Sequence, residues 1–299
     1  MIKKYQRLIF LFSLLLAFNP LHAQDDLLDL LDQETASEPT TNYSYATFKT
    51  TRIINGQSVE TTAGGVLNFI ISHRFGKIND GWYEFWGLDQ ATIRLGLEYG
   101  ITDNLNIGLG RSSFLKTLDG NIKWRFARQS KGDRNFPFTA VLYSSIAKNG
   151  MKWDDPERDN YFSSRLSFAN QILIARKFSN AFSMQIMPSF VHRNLVETKE
   201  DQNDVFAIGV GGRIKITQRL SINGEYYYQL PGTNSDKYYN SVAMGIDIET
   251  GGHIFQLQIT NSKGMIEQYF IPMTNGDLFD GDIYFGFNIN RVFTLKKKG

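Results

Sequence analysis

The chain has 299 residues, 32 Lys and Arg against 30 Asp and Glu, and no cysteine. The missing cysteine excludes disulfides, thiol nucleophiles, thiolate metal sites and a lipidated N-terminal cysteine. Three of the basic residues, Lys3, Lys4 and Arg7, lie in an N-terminal stretch that holds no acid, which leaves 29 basic against 30 acidic residues. That balance gives no reason to expect a nucleic-acid partner.

Residues 1–23 read as a secretory signal peptide. The basic start is followed by an apolar run from Leu8 to Phe18, then Pro20, and Ala23 supplies a small residue for cleavage before Gln24. The run is about half the length of a membrane-spanning helix, which needs about 20 residues. Residues 24–42 form an acidic leader and linker in which Asp25, Asp26, Asp29 and Asp32 alternate with Leu27, Leu28, Leu30 and Leu31 before Pro39 and a Thr-rich stretch. The leader is expected to be solvated in the periplasm; the alternative is a short amphipathic helix that binds a partner. No later stretch approaches about 18 consecutive apolar residues, so a membrane crossing here requires a closed barrel, which leaves no backbone unpaired in lipid.

From Tyr43 onward the pattern has period two. In residues 90–99, Ala91, Ile93, Leu95, Leu97 and Tyr99 share one face, and Gln90, Thr92, Arg94, Gly96 and Glu98 share the other. The same alternation recurs in Leu105–Leu109, Ile122–Phe126, Phe206–Ile216, Leu220–Leu230, Val242–Ile248 and Ile283–Ile289. The predicted strands are 66–75, 90–99, 105–114, 120–128, 138–147, 161–176, 182–193, 204–216, 220–230, 238–249, 252–261 and 282–293. Phase is poor near Asn170, which suggests a bulge there. Residues 47–54 read as an extra short strand or a segment tucked into the barrel. The expected fold is all-β: an antiparallel up-and-down transmembrane β-barrel of about twelve strands over 43–299, with a short acidic N-terminal leader.

Connections alternate between short turns and long loops, as they do in outer-membrane barrels. Two fit poorly: 115–119 is short where a loop is due, and 129–137 is of middle length where a turn is due. A soluble barrel with an inward apolar face is the competing reading. Against it, the apolar face is nearly free of charge, and Phe75, Tyr99, Phe114, Phe178, Phe182, Tyr238 and Phe293 stand near strand ends, where girdles form. The polar face carries Arg74, Arg94, Glu98, Lys123, Arg125, Arg165, Arg193, Arg213, Lys215, Glu225, Asp247 and Glu249, the candidate lumen-lining residues.

The segments FKTTRIING (48–56), SHRFG (72–76), GLDQATIRLGLEYGITDNL (87–105), YFSSRLSF (161–168), RNLV (193–196), DVFAIGVGGRIKIT (204–217), EYYYQLPG (225–232), DIETGGHIFQLQITNS (247–262) and GDIYFGFNINRVF (281–293) resemble a family of bacterial outer-membrane β-barrel proteins known as a domain of unknown function. The resemblance runs from about Phe48 to Phe293. It implies a single barrel domain and an envelope location, and it transfers no catalytic or binding residue. The last strand ends on Phe293, which looks like the terminal signal read by barrel-assembly machinery, although Thr294–Gly299 extend beyond it.

Chemistry is sparse. Outside the predicted signal the histidines are His73, His192 and His253; Ser72 neighbours His73 but points to the opposite face, and Ser189 and His192 differ in face as well. An enzyme is not expected; an outer-membrane hydrolase with a Ser–His pair is the weakest alternative. Asp154, Asp155, Glu157 and Asp159 read as a solvated acidic loop, with weak Ca²⁺ binding as the alternative. No metal site, cofactor or nucleic-acid partner is expected; outer-membrane lipid, assembly machinery and a small anionic solute are. Two functions remain open: a narrow pore or solute-binding barrel with a cation-lined lumen, or a closed structural barrel whose outer loops bind partners.

Overall fold

The structure is a computed structural model that describes residues 40–153 and 155–296. The stretch read as a signal peptide, and the part of the expected leader up to residue 39, lie outside the described residues. The chain separates into two compact units. In the described part of the first, residues 40–42 and 132–134, the Arg134 amide donates to Thr41 Oγ1 at 3.3 Å. The second unit, Tyr43–Lys131 with Asn135 onward, holds the barrel.

Twelve strands make that barrel: β1 (Val66–Lys77), β2 (Ala91–Gly100), β3 (Leu105–Ser112), β4 (Leu118–Ala127), β5 (Thr139–Lys148), β6 (Leu166–Lys177), β7 (Phe182–Arg193), β8 (Asp204–Lys215), β9 (Leu220–Gln229), β10 (Ser241–Thr250), β11 (His253–Thr260) and β12 (Tyr284–Thr294). Each pairs antiparallel with the next in sequence, and β12 closes on β1 with Ile289 opposite Ile71. Among the described residues no helix is long and apolar enough to cross a membrane.

Alternation sorts the side chains. On β2, Ile93, Leu95 and Leu97 are exposed outward, while Thr92, Arg94 and Glu98 are buried inward. Phe178, Phe182 and Phe293 face out near strand ends, as girdle residues do. Phe114 and Tyr238 correct the expected girdle. Phe114 turns onto the Tyr269 ring at 5.3 Å, and Tyr238 is buried.

The expected strand 161–176 begins only at Leu166, because Phe162–Arg165 forms a 3-10 turn. There is no bulge near Asn170. The strand alternates evenly, and Asn170 faces outward, where its Oδ1 pairs with Ser144 Oγ at 2.8 Å. Register shifts fall elsewhere, between Arg125 and Ala127 and between Tyr284 and Gly286.

The short connections 101–104, 178–181, 216–219 and 251–252 gather at one end of the barrel. The long ones, 78–90, 149–165, 194–203, 230–240 and 261–283, gather at the other. The two misfits persist: 113–117 is a tight 3-10 turn among the long loops, and 128–138 is the longest connection among the short ones.

Candidate functional site

The lumen is filled by two segments that are not part of the wall. The first is residues 47–62, ahead of β1. It enters at the short-turn end, turns back at Asn55–Gly56 and leaves by the same end. Its own hairpin bonds are Ile53 N–H to the Gly56 carbonyl at 2.8 Å and Ser58 N–H to the Thr51 carbonyl at 2.9 Å. At the entrance Arg213 donates to the carbonyls of Ala46 and Thr47, and Lys49 pairs with Glu249. At the exit the Gly64 amide donates to Asp103 Oδ1 at 2.9 Å. Of the two readings of 47–54, the tucked segment is the one the structure adopts.

The tip is held by charged wall residues. The Glu225 carboxylate on β9 accepts three consecutive amides, from Ile54 (3.2 Å), Asn55 (2.8 Å) and Gly56 (3.2 Å). A carboxylate that accepts backbone N–H groups makes charge-assisted bonds, about twice as strong as neutral ones. Arg74 on β1 donates to Asn55 Oδ1 at 2.7 Å, and Lys123 on β4 donates to the carbonyls of Thr51, Ser58 and Glu60 at 2.8–3.3 Å. Gln256 and Asn288 donate to the carbonyls of Ile53 and Ile54, while Gln185 accepts from the Val59 amide and donates to the Gln57 carbonyl. The turned backbone therefore finds polar partners inside the wall, as buried backbone must.

The second segment enters from the long-loop end. Within 261–283 lies a single helical turn, α2 (Glu267–Phe270), all four residues of which are buried. Phe270 packs on Tyr227 at 5.0 Å, Tyr143 Oη donates to Glu267 Oε2 at 3.1 Å, and Gln268 donates to Ser145 Oγ at 2.8 Å. The two inserts meet at Arg52, which donates to the Met265 carbonyl at 3.4 Å and stands 4.0 Å from Glu267. A barrel of twelve strands is wider than the eight-stranded barrels that side chains alone can fill. Here main chain does the filling.

The candidate residues divide by position. Arg74, Arg94, Glu98, Lys123, Arg125, Arg193, Arg213, Glu225 and Asp247 are buried and face inward. Arg94 pairs with Asp119 through two bonds, at 3.0 and 2.5 Å, and Asp247 accepts from Gln256 at 2.6 Å. Three stand off the inner wall. Arg165 lies on the 3-10 turn before β6, stacked 3.9 Å from Trp153. Lys215 and Glu249 are half-exposed at the short-turn rim. Three buried charges escaped the sequence reading: Arg52 and Glu267 on the inserts, and Asp119. Asp119 shares the parity of Asn121, Lys123 and Arg125, so starting that strand one residue earlier would have found it.

The described histidines, His73, His192 and His253, lie on the outer face. His73 stacks on Phe287 at 4.9 Å, His253 stands 5.9 Å from Phe255, and His192 Nδ1 pairs with Asp204 Oδ1 at 2.6 Å. Among the described residues none of the three is hydrogen-bonded to a serine hydroxyl, and no three His, Asp or Glu are grouped as metal ligands. In the long loops, Lys237 of α1 (Thr233–Lys237) donates to Glu197 at 2.8 Å and to Asp201 at 3.1 Å. The Lys237 ammonium holds the Asp201 carboxyl below its ordinary range, and the pairing raises the ammonium in turn.

No curated protein matches the chain. Among solved structures it is similar to the NanC porin (7% identity, TM-score 0.47, covering 76% of this chain and 98% of that one). An outer membrane channel from Pseudomonas putida F1 gives 12%, 0.47, 78% and 96% on the same measures. Outer membrane phospholipase A from Escherichia coli gives 11%, 0.44, 78% and 91%. The model of the family described as a membrane bound beta barrel domain, a domain of unknown function, matches residues 48–293. The chain belongs to that family of membrane-bound β-barrels.

Proposed function

We propose that the protein is an outer-membrane barrel that is shut at rest and acts as a gated narrow pore for small solutes, with residues 47–62 as the gate. The observation that carries this reading is that the lumen is closed by inserted chain, the hairpin together with the 261–283 insert, and not by the wall's own side chains alone. The hairpin's two ends both lie at the short-turn end, so it can withdraw without breaking any wall pairing. With the hairpin out, a wall bearing Arg74, Arg94, Lys123, Arg125, Glu98, Asp119, Glu225 and Asp247 is a surface water can wet, as an aqueous channel needs. Six buried wall cations then face four carboxylates, which favours anions modestly. The short-turn end is assigned to the periplasm, where a folding barrel meets assembly machinery, and the reading assigns the chain no catalysis.

The test is planar-bilayer conductance of the full chain beside a variant lacking residues 47–61, both checked for folding by heat-modifiable gel mobility. The full chain is expected to be silent and the deletion to conduct with anion preference. Two silent proteins, or equal currents, would overturn the gate. A closed interaction barrel is the second reading. It is favoured by loop 78–90, which exposes Trp82, Tyr83, Phe85 and Trp86 at the long-loop end.

A further inference from the structure

The long-loop end holds a cleft of about 530 Å³ between the 149–165 and 194–203 loops, with α2 as its floor. Its charged lining is lopsided. Among the described residues Lys152, Arg158, Arg165 and Arg193 face one acid, Glu197, which already pairs with Lys237. Asp155, Glu157 and Asp159 of the same loop are turned to solvent. The rest is ring and thioether: Trp153, Tyr269, Met151 and Met273.

Arg193 beneath the cleft spends its Nη2 on the Gln202 carbonyl and Asn234 Oδ1, at 2.8 and 2.6 Å, while its Nε is buried without a partner and the residue is 8% exposed. A buried donor left unmatched asks for an explanation. Arg165 is also pre-positioned. Its guanidinium is fixed by the Asn149 and Met151 carbonyls and stacked on Trp153, so little rotamer freedom is left to lose on binding.

We propose that this cleft is a binding site for a small molecule that carries a phosphate or carboxylate on a ring. The anion meets Arg165 with Lys152 and Arg158 at the rim, over the buried charge of Arg193, and the ring lies against Trp153 and Tyr269. The site needs no movement of the lumen hairpin, so it stands or falls separately from the gate. The shared chemistry, an anion on an apolar body, also belongs to an anionic lipid headgroup; the free solute is favoured because the cleft is bounded by loops and the α2 floor and not by the outward strand faces.

The experiment is calorimetric titration of the full chain in neutral detergent with phenyl phosphate and with benzoate, and with phenol and inorganic phosphate as half-ligands. Saturable binding of a ring-bearing anion, at least about tenfold tighter than either half-ligand, is expected, since anion and ring each contribute on the order of 1.4 kcal/mol, a factor of ten. Lys152→Gln with Arg158→Gln, both exposed and outside the fold's packing, is expected to weaken binding about tenfold with unchanged heat-modifiable mobility. Arg165→Gln is expected to weaken it further. Binding in vesicles of phosphatidylcholine should match that in detergent. No saturable binding of either ring-bearing anion, or equal affinity in the double variant, overturns the site. Loss of binding in vesicles containing phosphatidylglycerol overturns the free-solute assignment in favour of a headgroup.

Discussion

The barrel's inner wall has two chemistries. From β5 to β8 the inward residues are mostly small or apolar: Val141, Tyr143, Ala147, Ala169, Leu173, Ala175, Met187, Val191, Val205 and Ala207, with Gln171 and Gln185 among them and Arg193 and Arg213 near opposite ends. From β9 round through β12 and β1 to β4 they are mostly polar, Asn68, Arg74, Arg94, Glu98, Asp119, Lys123, Glu225, Asp247, Gln256 and Asn288, with Ile70, Tyr227 and Ala243 among them. The hairpin matches both. Phe48, Ile53, Ile54 and Val59 join the apolar arc in one continuous cluster, while the backbone at the tip is held by the polar arc. Burial of four such side chains contributes on the order of 1.5–3 kcal/mol each. The apolar arc thus supplies affinity, and the polar arc fixes where the hairpin sits.

The division can be broken from either side. The largest effect is expected in the polar arc. Arg94→Met strands the buried Asp119 carboxylate and is expected to cost about 3–5 kcal/mol, lowering the heat-modification midpoint. Arg94→Met with Asp119→Leu should recover most of that loss. A double variant as poor as the single would show that the pair is not what holds this arc. In the apolar arc, Ile53→Ala removes a fully buried side chain and is expected to cost about 2–4 kcal/mol. That loss belongs to the hairpin, so amide exchange should rise over residues 50–59 while the wall strands stay protected. Exchange rising equally in the wall would mean that hairpin and wall are one cooperative unit.

Gly56 sharpens the boundary between the arcs. A Cβ there would lie 2.0 Å from Tyr227 Oη. Gly56→Ala is expected to cost about 1–3 kcal/mol through overpacking, and Tyr227→Phe in that background should return part of it. The smallest effect lies outside the wall. The Asp201 carboxyl is lowered from its ordinary value of 3.8 by Lys237. A depressed carboxyl contributes stability above its unfolded-state value and loses it as pH falls through the lower folded value. Amide protection in 194–203, corrected for the intrinsic exchange rate, should therefore be flat from about pH 4 to neutral and fall only below it, with the barrel unaffected.

The same division explains what the sequence made legible. In β2, β9 and β10 one face meets lipid and the other a polar interior, so alternation is clean and the inward charges could be named. In β6 and β7, Leu173, Ala175, Met187 and Val191 face in while Ile172, Ile174, Met184 and Ile186 face out. Both faces are apolar, the phase blurs, and Asn170 then looked like a bulge although it is an outward residue with a cross-strand partner. Arg165 was read as wall because Phe162–Arg165 continued an apparent strand that a 3-10 turn interrupts. Filling of the lumen was only half legible. The segment at 47–54 reads either as an extra short strand or as a tucked segment, but 261–283 reads as an ordinary long loop, and nothing local says that Glu267 ends up deep in the barrel opposite Arg52.

In the proposed gate the hairpin is the movable part of the plug, and Glu225 holds it in place. Glu225→Ala removes the acceptor of three amides and is expected to convert a silent barrel into a conducting one. The chain has no cysteine, so Val59→Cys with Gln185→Cys, where the Val59 amide reaches the tip of the Gln185 side chain at 2.8 Å, can be bridged in that background by a short bis-methanethiosulfonate, a cross-linker that reduction cleaves. Single-channel current of the triple variant should be absent when cross-linked and appear on reduction. Equal current in the two states would rule out the hairpin as the gate.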